Sequence, residues 1–459
     1  MTRRFDIGGD FPPANEADWR AALKESDPHS LARLDEDGIV ITPVYHRPTP
    51  LPRMARPAAL AKGHGWAIVQ PAATPERLDE ELAHGADGAT LVIAGAPLSD
   101  GGMTPARAVA ALEARDVEFT PLRLDAGENW PEAAAAVLDA YRRRHYDLAR
   151  APLLLCADPF GPAARAGRRP ETSELASRLA GLFRQARAAG LGRPAFAADT
   201  RVFHAAGCTP AQELAIAAAA TVEFVRLLSS HGAASADDAL QAVSWLMTVD
   251  AAQFASIAKL RAARLMHGRI AEALGAAGAP LTLLAESAWR MFTARDVHNN
   301  LVRLTSATFA AALGGADALT THAYDLARGG SDRRARRMAR NAQIIARAEA
   351  GLDVVDDPLN GSYFLDAYTH ELARAGWALF QRIEARGGLL AALEGDWLQG
   401  QIETAARRRN VTLIGVDLHP AEEEEEVTTA GETAPGADAD IPPLAPVRLE
   451  ALARGEDES

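Results

Sequence analysis

The chain has 459 residues, 48% of them hydrophobic and 24% charged, which is enough for a large domain with a sizeable core. The formal net charge of −13 argues against nucleic-acid binding, and two distant cysteines outside any CxxC pattern argue against a disulfide scaffold or a zinc site. The start lacks a secretory signal and no apolar run is long enough for a bilayer, so we expect a cytoplasmic protein without membrane contact.

Residues 1–35 are polar with few apolar anchors and are predicted to form an N-terminal extension, in which a short helix begins after Asn15 and runs to Lys24. Short apolar strands then alternate with helices of ten or more residues, the pattern of βαβ units. The predicted strands are Gly38–Tyr45, Trp66–Gln70, Thr90–Ile93, Val117–Phe119, Pro152–Cys156, Trp245–Val249, Leu281–Ala285 and Ala318–His322. The predicted helices cover Thr74–His84, a segment from Thr104, Thr209–Ser230, Ala252–Gly275, Asp296–Leu313 and a segment from Ser331 or Asp332 into Glu349.

The number of strand–helix pairs approaches eight, which favours a closed barrel over an open sheet. The predicted fold class is therefore α/β, a (β/α)8 TIM-type barrel over residues 36–410. Residues 411–459 are predicted to be a linker and a disordered acidic tail, because the acidic run Glu422–Glu426 and its polar surroundings cannot bury enough apolar surface. Within that tail, Val447–Leu452 is predicted to form a short docking helix.

The segment Cys208–Ala215 combines a helix start with a family signature. Thr209 is the expected N-cap, Pro210 suits the first helical position and Gln212 completes a capping box. With Ala206 and Gly207 before it, the segment also resembles a signature of the methylmalonyl-CoA mutase family. Further stretches resemble the family in the correct order, while residues 36–200 match only weakly: Phe254–Arg264, Asn299–Arg303, Leu313–Leu319, Arg340–Gln343 and Asp357–Tyr363.

The resemblance implies a (β/α)8 catalytic domain and adenosylcobalamin-dependent rearrangement of acyl-CoA carbon skeletons. Family chains that bind the corrinoid carry a second, flavodoxin-like domain with a D-x-H-x-x-G motif, whose histidine becomes the lower cobalt ligand. Here Asp417-Leu418-His419 matches the start of that motif, but Glu422 replaces the glycine and only the acidic tail follows. We therefore expect an exposed linker histidine at position 419, no metal ligand and no cobalamin domain on this chain.

The residues that the family uses for catalysis also differ. The early tyrosine stretch is absent from Arg47–Met54 and from Gly63–Trp66, and a Q-T-S-G stretch is replaced by Ala285–Ala288. The family's thioester-binding histidine falls on Val202, and His204 lies two residues later, on the same face if the segment is a strand. We therefore predict no catalytic residue on this chain.

Other candidate signals have simpler interpretations. Five arginines could bind the phosphates of coenzyme A, but helical spacing favours a solvated face: Arg333, Arg334, Arg336, Arg337 and Arg340. His298 is expected to cap a helix rather than line the barrel mouth. Cys208 is expected to be a buried small residue, and Trp245 and Trp289 are expected in the core.

The family match and the missing residues together predict the small, non-catalytic subunit of a heterodimeric mutase. Its partner would be a large catalytic subunit that binds adenosylcobalamin and takes acyl-CoA. One alternative is a catalytic chain that uses a separate cobalamin-binding subunit, as in isobutyryl-CoA mutase. Another is a regulatory pseudoenzyme that binds a mutase transiently.

Overall fold

Eight parallel strands form a barrel surrounded by helices, which confirms the predicted fold class. The computed structural model describes residues 15–23, 27–46, 51, 59–60, 65–99, 101–420 and 439–455. The barrel strands are β3 (Ala67–Ala72), β4 (Gly88–Val92), β5 (Leu122–Asp125), β6 (Leu153–Leu154), β7 (Phe196–Asp199), β8 (Val243–Val249), β9 (Leu283–Ser287) and β10 (Ala318–Thr320). Nearly every strand residue is buried, as expected when both faces of a parallel sheet are covered.

The strands follow one another around the ring in chain order, and β10 pairs with β3. The ring closes between β6 and β7 through Ala157, which receives a 3.1 Å hydrogen bond from the Ala197 N–H and donates a 3.0 Å bond to the Ala195 carbonyl. The amino-terminal end of the barrel is filled by Leu60, which packs against Val69 and Leu154.

The outer helices begin at the residues that favour helix starts. Thr74, Thr104 and Asp332 each accept a hydrogen bond from a first-turn N–H, and Thr209 forms the expected capping box with Gln212. The helices are α2 (Pro75–Ala83), α3 (Pro105–Glu113), α4 (Trp130–Arg143), α5 (Phe160–Ala166), α6 (Thr172–Ala188), α7 (Arg201–Ala205), α8 (Pro210–Ser230), α9 (Ala236–Gln241), α10 (Gln253–Ala273), α11 (Asn299–Gly314) and α12 (Arg333–Ala348).

Further elements lie outside the barrel. An N-terminal helix, α1 (Glu16–Ala22), begins after Asn15 as predicted, and β1 (Arg33–Leu34) pairs with β2 (Val40–Ile41) in an antiparallel hairpin. A second layer consists of α13 (Tyr363–Glu384), α14 (Leu389–Glu394) and α15 (Trp397–Arg408), of which α13 packs on α8 and α10.

Residues 439–455 form a segment that we call the strap, and it ends in α16 (Leu449–Arg454). The predicted docking helix is confirmed. The prediction of disorder is wrong for the strap, because its apolar residues Ile441 and Leu444 are buried against the barrel. The acidic run itself lies outside the described residues, as do residues 1–14.

Three predictions of elements are wrong. The predicted strand at residues 38–45 contributes only β2 to the hairpin, and Val117–Phe119 forms no strand because the barrel strand begins at Leu122. The helix predicted from Asp296 begins at Asn299. The strand β7 was missed, since Phe196–Asp199 is a short run next to alanines and carries a weak pattern.

Candidate functional site

Charged side chains crowd the carboxyl-terminal ends of the barrel strands, the face at which (β/α)8 barrels bind ligands. Asp125 ends β5, Asp199 ends β7, and Glu286 lies one residue before the end of β9. Arg201 begins α7 just after β7, and Arg123 lies two residues before Asp125, on the same side of β5. All five are buried, and they form one ion network that we call the barrel network.

Arg201 holds the barrel network together because its guanidinium contacts three carboxylates. It donates to the two oxygens of Asp125 at 2.7 and 3.0 Å and to Asp199 at 2.7 Å. It also donates to one oxygen of Glu286 at 3.0 Å, while Arg123 donates to the other. Bidentate and charge-assisted bonds of this kind are the stronger hydrogen bonds of proteins.

The charges of the barrel network stabilise one another. Burial opposes ionisation of Glu286, but the guanidinium groups of Arg201 and Arg123 hold its pKa well below the ordinary value. Burial likewise opposes the charge of Arg201, but Asp125 and Asp199 hold its pKa well above the ordinary value. The acidic and basic groups therefore compensate one another's charge, and all of them except Asp199 also line a cavity of the barrel.

Two neighbours border the barrel network. Burial and repulsion from Asp199 raise the pKa of Asp158 well above its ordinary value, and its carboxyl accepts the N–H of Phe160 at 2.9 Å. His322, just after β10, places Nε2 2.9 Å from a carboxylate oxygen of Glu286. That oxygen already accepts from a guanidinium, so the contact leaves little of Glu286 available to a ligand.

Two small cavities lie inside the barrel. A cavity of about 50 Å³ above the network is lined by Gln70, Thr90 and His322 among others, and one of about 10 Å³ lies below it beside Leu60. Arg123 lines both cavities and therefore lies between them, and Glu286, its ion-pair partner, lines the upper one. Since one water needs a cavity of roughly 10–15 Å³, the upper cavity has room for a few waters.

A second buried cluster surrounds Glu213 on α8, and we call it the Glu213 cluster. The Glu213 carboxylate accepts hydrogen bonds from Thr200 Oγ1 at 2.7 Å, from the Thr248 N–H at 3.1 Å and from the Lys259 ammonium. His204 Nδ1 lies 2.9 Å from its second oxygen. This carboxylate ties α7, α8, α10 and β8 together.

The Glu213 cluster also fixes the state of His204. Burial, followed by the positive charge of Arg290, lowers the pKa of His204 to about 4. Burial opposes the charge of Glu213, but Lys259 and His204 hold its pKa well below the ordinary value. A neutral imidazole beside a carboxylate donates its Nδ1–H, so His204 supports Glu213 through Nδ1, while its buried Nε2 has no hydrogen-bond partner among the described residues.

The predicted position of His204 is wrong, because it lies on α7 together with Val202 rather than on a strand. The strand ends at Asp199, where the chain turns to place Arg201 in the barrel network. The offset of two therefore does not put His204 on the inner face of the sheet. In Ala285–Ala288, the stretch that replaces the family's Q-T-S-G, Glu286 is the carboxylate that both Arg123 and Arg201 contact.

The predicted burial of Cys208, Trp245 and Trp289 is confirmed, whereas the predicted capping role of His298 is wrong. Cys208 is fully buried, and burial raises its pKa well above the ordinary value. Trp245 and Trp289 are buried as predicted. His298 is exposed at the start of α11 but makes no side-chain capping bond.

The arginines of α12 are only partly a solvated face. Arg333, Arg334 and Arg337 are exposed, although Arg333 Nε lies 3.4 Å from Glu80 Oε1. Arg340 is buried and donates to Glu81 at 2.6 Å, and the half-buried Arg336 donates to Glu80 at 2.8 Å. These two arginines join α12 to α2. Of the two segments without the family's tyrosine stretch, Arg47–Met54 and Gly63–Trp66, the structure describes only Leu51 and Gly65–Trp66.

Sequence reasoning missed the barrel network. The alternation Arg123-Leu124-Asp125 was a usable signal, since polar residues two apart share one face of a strand. Placing the strand at Val117–Phe119 concealed it. Asp199 and Arg201 had a similar spacing, but nothing local indicates that they meet Asp125 and Glu286 from distant strands.

His419, which the sequence places in a corrinoid-like motif, lacks the surroundings of a cobalt ligand. His419 is exposed on a turn, and the nearby Asp417 carboxylate accepts the Leu413 N–H of that turn instead of orienting the imidazole. Within the described ranges, no cluster of three or more His, Cys, Asp or Glu is placed to hold a metal ion, and none of the helices is long and apolar enough to span a membrane.

Comparison with known proteins agrees with the barrel geometry. The family model described as methylmalonyl-CoA mutase matches residues 197–433, which is more than half of the chain. This chain belongs to the methylmalonyl-CoA mutase family. Members of this family named "Methylmalonyl-CoA mutase small subunit" include a Streptomyces virginiae protein that is 32% identical over 449 residues, covering 89% of this chain and 71% of that protein.

Two further relatives show how far the similarity extends. A "Probable methylmalonyl-CoA mutase small subunit" of Mycobacterium bovis is 36% identical over 345 residues, covering 70% of this chain and 54% of that protein. The "Methylmalonyl-CoA mutase" of Escherichia coli is 31% identical over 232 residues, covering 48% of this chain and 32% of that protein. The chain thus spans about half the length of the mycobacterial relative.

Proposed function

We propose that this chain is the non-catalytic small subunit of a heterodimeric, adenosylcobalamin-dependent methylmalonyl-CoA mutase. A large partner subunit would bind the cobalamin and interconvert (R)-methylmalonyl-CoA and succinyl-CoA. The observation that carries this proposal is the Arg123–Glu286 ion pair, whose arginine lies between two small cavities of the barrel. An acyl-CoA mutase needs a barrel interior that admits a thioester, and here that interior holds paired charges.

The proposal also rests on what the buried polar groups do. Catalysis of acyl rearrangement requires donors aimed at the thioester oxygen in a water-excluded site. In the barrel network, Arg123 and Arg201 donate to carboxylates of the chain itself. In the Glu213 cluster, His204 does the same. Freeing Arg201 for a substrate would leave the buried Asp199 carboxylate without its guanidinium partner, at a cost of about 3–5 kcal/mol.

The proposed roles follow the proposed layout. Residues 1–35 would be an extension, residues 36–410 the barrel, and residues 411–459 a linker and tail. The barrel would contribute interface area and stability to a cytoplasmic complex. The relatives named as small subunits support the role of a subunit. The lone chain should then self-associate, because an obligate interface is large and apolar.

The first test is isolation of the native complex through a tag on this chain. We expect a stable one-to-one complex with a larger protein that carries its own D-x-H-x-x-G sequence. A small cobalamin-binding partner would instead favour the catalytic alternative. A partner that keeps full turnover and stability after this chain is removed would favour the regulatory alternative.

The second test measures turnover to distinguish the non-catalytic subunit from the catalytic alternative. His204→Asn keeps a side-chain N–H near Glu213 and removes the imidazole that a catalytic chain would need. We expect the turnover of the purified complex to stay within about twofold of the wild type. A loss of about 100-fold or more, which is typical for removal of a catalytic donor, would overturn the proposal. The exposed His231→Asn is the matched control.

A further inference from the structure

The strap crosses the carboxyl-terminal face of the barrel. It begins beside α5, where the Ile441 N–H donates to the Gly167 carbonyl at 3.1 Å and the Leu444 N–H to the Ala164 carbonyl at 2.9 Å. It continues past the end of α7, where the Val447 N–H donates to the Ala205 carbonyl at 2.8 Å. These elements follow β6 and β7, so the strap lies over the face where barrels of this fold bind ligands.

The end of the strap is anchored to the segment that follows β9. Glu450 accepts the N–H groups of Ala294 and Arg295, at 2.7 and 3.1 Å, with its two carboxylate oxygens. The guanidinium of Arg448 lies 3.7 Å from the ring centre of Trp289. Both charged side chains are less than a tenth exposed, and such charge-assisted and cation–π contacts are specific in geometry.

We propose that the loops after β6, β7 and β9 form a docking surface whose occupant is the strap, bound as a detachable segment. While bound, the strap excludes any second domain or protein from that half of the barrel face. This proposal concerns the isolated chain and does not depend on the proposed function.

Two features indicate that the strap is detachable. Its backbone hydrogen bonds go to helix ends and loops, at Gly167, Ala164 and Ala205, rather than forming a continuous ladder. Its buried residues, such as Ile441, Leu444 and Arg448, are separated by exposed or half-buried ones such as Ala445, so its contact with the barrel is discontinuous. Segments with few buried apolar contacts open at free energies well below that of global unfolding.

Hydrogen exchange on the full chain tests local opening. The amides of Val447, Ala294 and Arg295 should exchange together, and faster than amides of the barrel strand β8. Glu450→Gln should speed their exchange about tenfold or more, since it weakens two charge-assisted bonds, and should leave β8 unchanged. Glu272→Gln, an exposed glutamate of α10, is the matched control. Exchange of these amides only by global unfolding would overturn the proposal.

Cleavage of the folded chain tests release. A protease site introduced within residues 421–438 allows the strap to be cut from the folded barrel. After cutting, the strap should dissociate on dilution, and a labelled peptide of residues 439–455 should then bind saturably. The uncut chain should bind that peptide at least 100-fold more weakly, because a tethered segment has a local concentration on the order of millimolar. Retention of the cut strap through gel filtration, or unfolding of the barrel on its release, would refute detachment.

Discussion

His204 gives a quantitative test of how the buried clusters respond to acid. The residue is buried on α7, and its Nδ1 lies 2.9 Å from a carboxylate oxygen of Glu213. His204→Asn keeps an N–H donor at about the same place but removes the titration of the imidazole. The variant therefore isolates the contribution of this one proton to folding stability.

The magnitude follows from the difference between the folded and unfolded pKa. Burial lowers the pKa of His204 from 6.5 to about 4. Between these values the unfolded chain binds a proton that the folded chain excludes, so the free energy of unfolding falls as the pH falls from 6.5 towards 4. At pH 4.5 the unfolded imidazole is almost fully protonated and the folded one mostly neutral, which corresponds to about 2.5 kcal/mol for His204.

Urea unfolding followed by circular dichroism at pH 8 and pH 4.5 measures the effect. The wild type should lose about 2.5 kcal/mol more stability between these conditions than His204→Asn. His231→Asn, at the exposed end of α8, controls for removal of a surface imidazole. Equal losses in the wild type and His204→Asn, or the same protection from His231→Asn, would refute the reasoning.

The remaining predictions concern other buried groups. Lys259→Met should lower the free energy of unfolding by about 3–5 kcal/mol in urea, because it leaves the buried carboxylate of Glu213 without its main counter-charge. Asp37→Asn should destabilise the chain more near pH 4 than at pH 8 in thermal melts. Burial raises the pKa of Asp37 to about 6, so the folded chain binds its proton first and gains stability as the pH falls from 6 to 3.8. Gly88→Ala should prevent soluble folding or cost more than about 3 kcal/mol, since its Cβ would lie 1.8 Å from a backbone oxygen, whereas Gly181→Ala inside α6 meets nothing within 4 Å and should stabilise by about 0.5–1 kcal/mol.

Each of these has its own contradicting result. A double variant Glu213→Gln with Lys259→Met should be less destabilised than Lys259→Met alone, and additive losses would argue against coupling. If Asp37→Asn destabilised the chain equally at pH 4 and pH 8, the Asp37 carboxyl would have the same pKa in the folded and unfolded chain, which would contradict the prediction. Equal stability of the two glycine variants would contradict the close approach of β4 to the Pro121 carbonyl.

Local sequence patterns predicted the helices and most strands correctly because these depend on neighbouring residues. The capping box of Thr209 and Gln212, the N-cap Asp332 and the strands near Trp245 and Ala318 all follow from short-range spacing. The family signatures lie on such elements, so the barrel and the family were both evident from the sequence.

Which charged side chains meet inside the barrel was decided by tertiary structure. Asp125, Asp199 and Glu286 are far apart in the chain, and only closure of the ring brings them to Arg201. Likewise, nothing local in the sequence indicates that Glu450 would cap the backbone at Ala294. Secondary structure is set by neighbouring residues, whereas the pairing of buried charges depends on which distant strands and loops meet, and a single sequence does not encode that proximity in any local pattern.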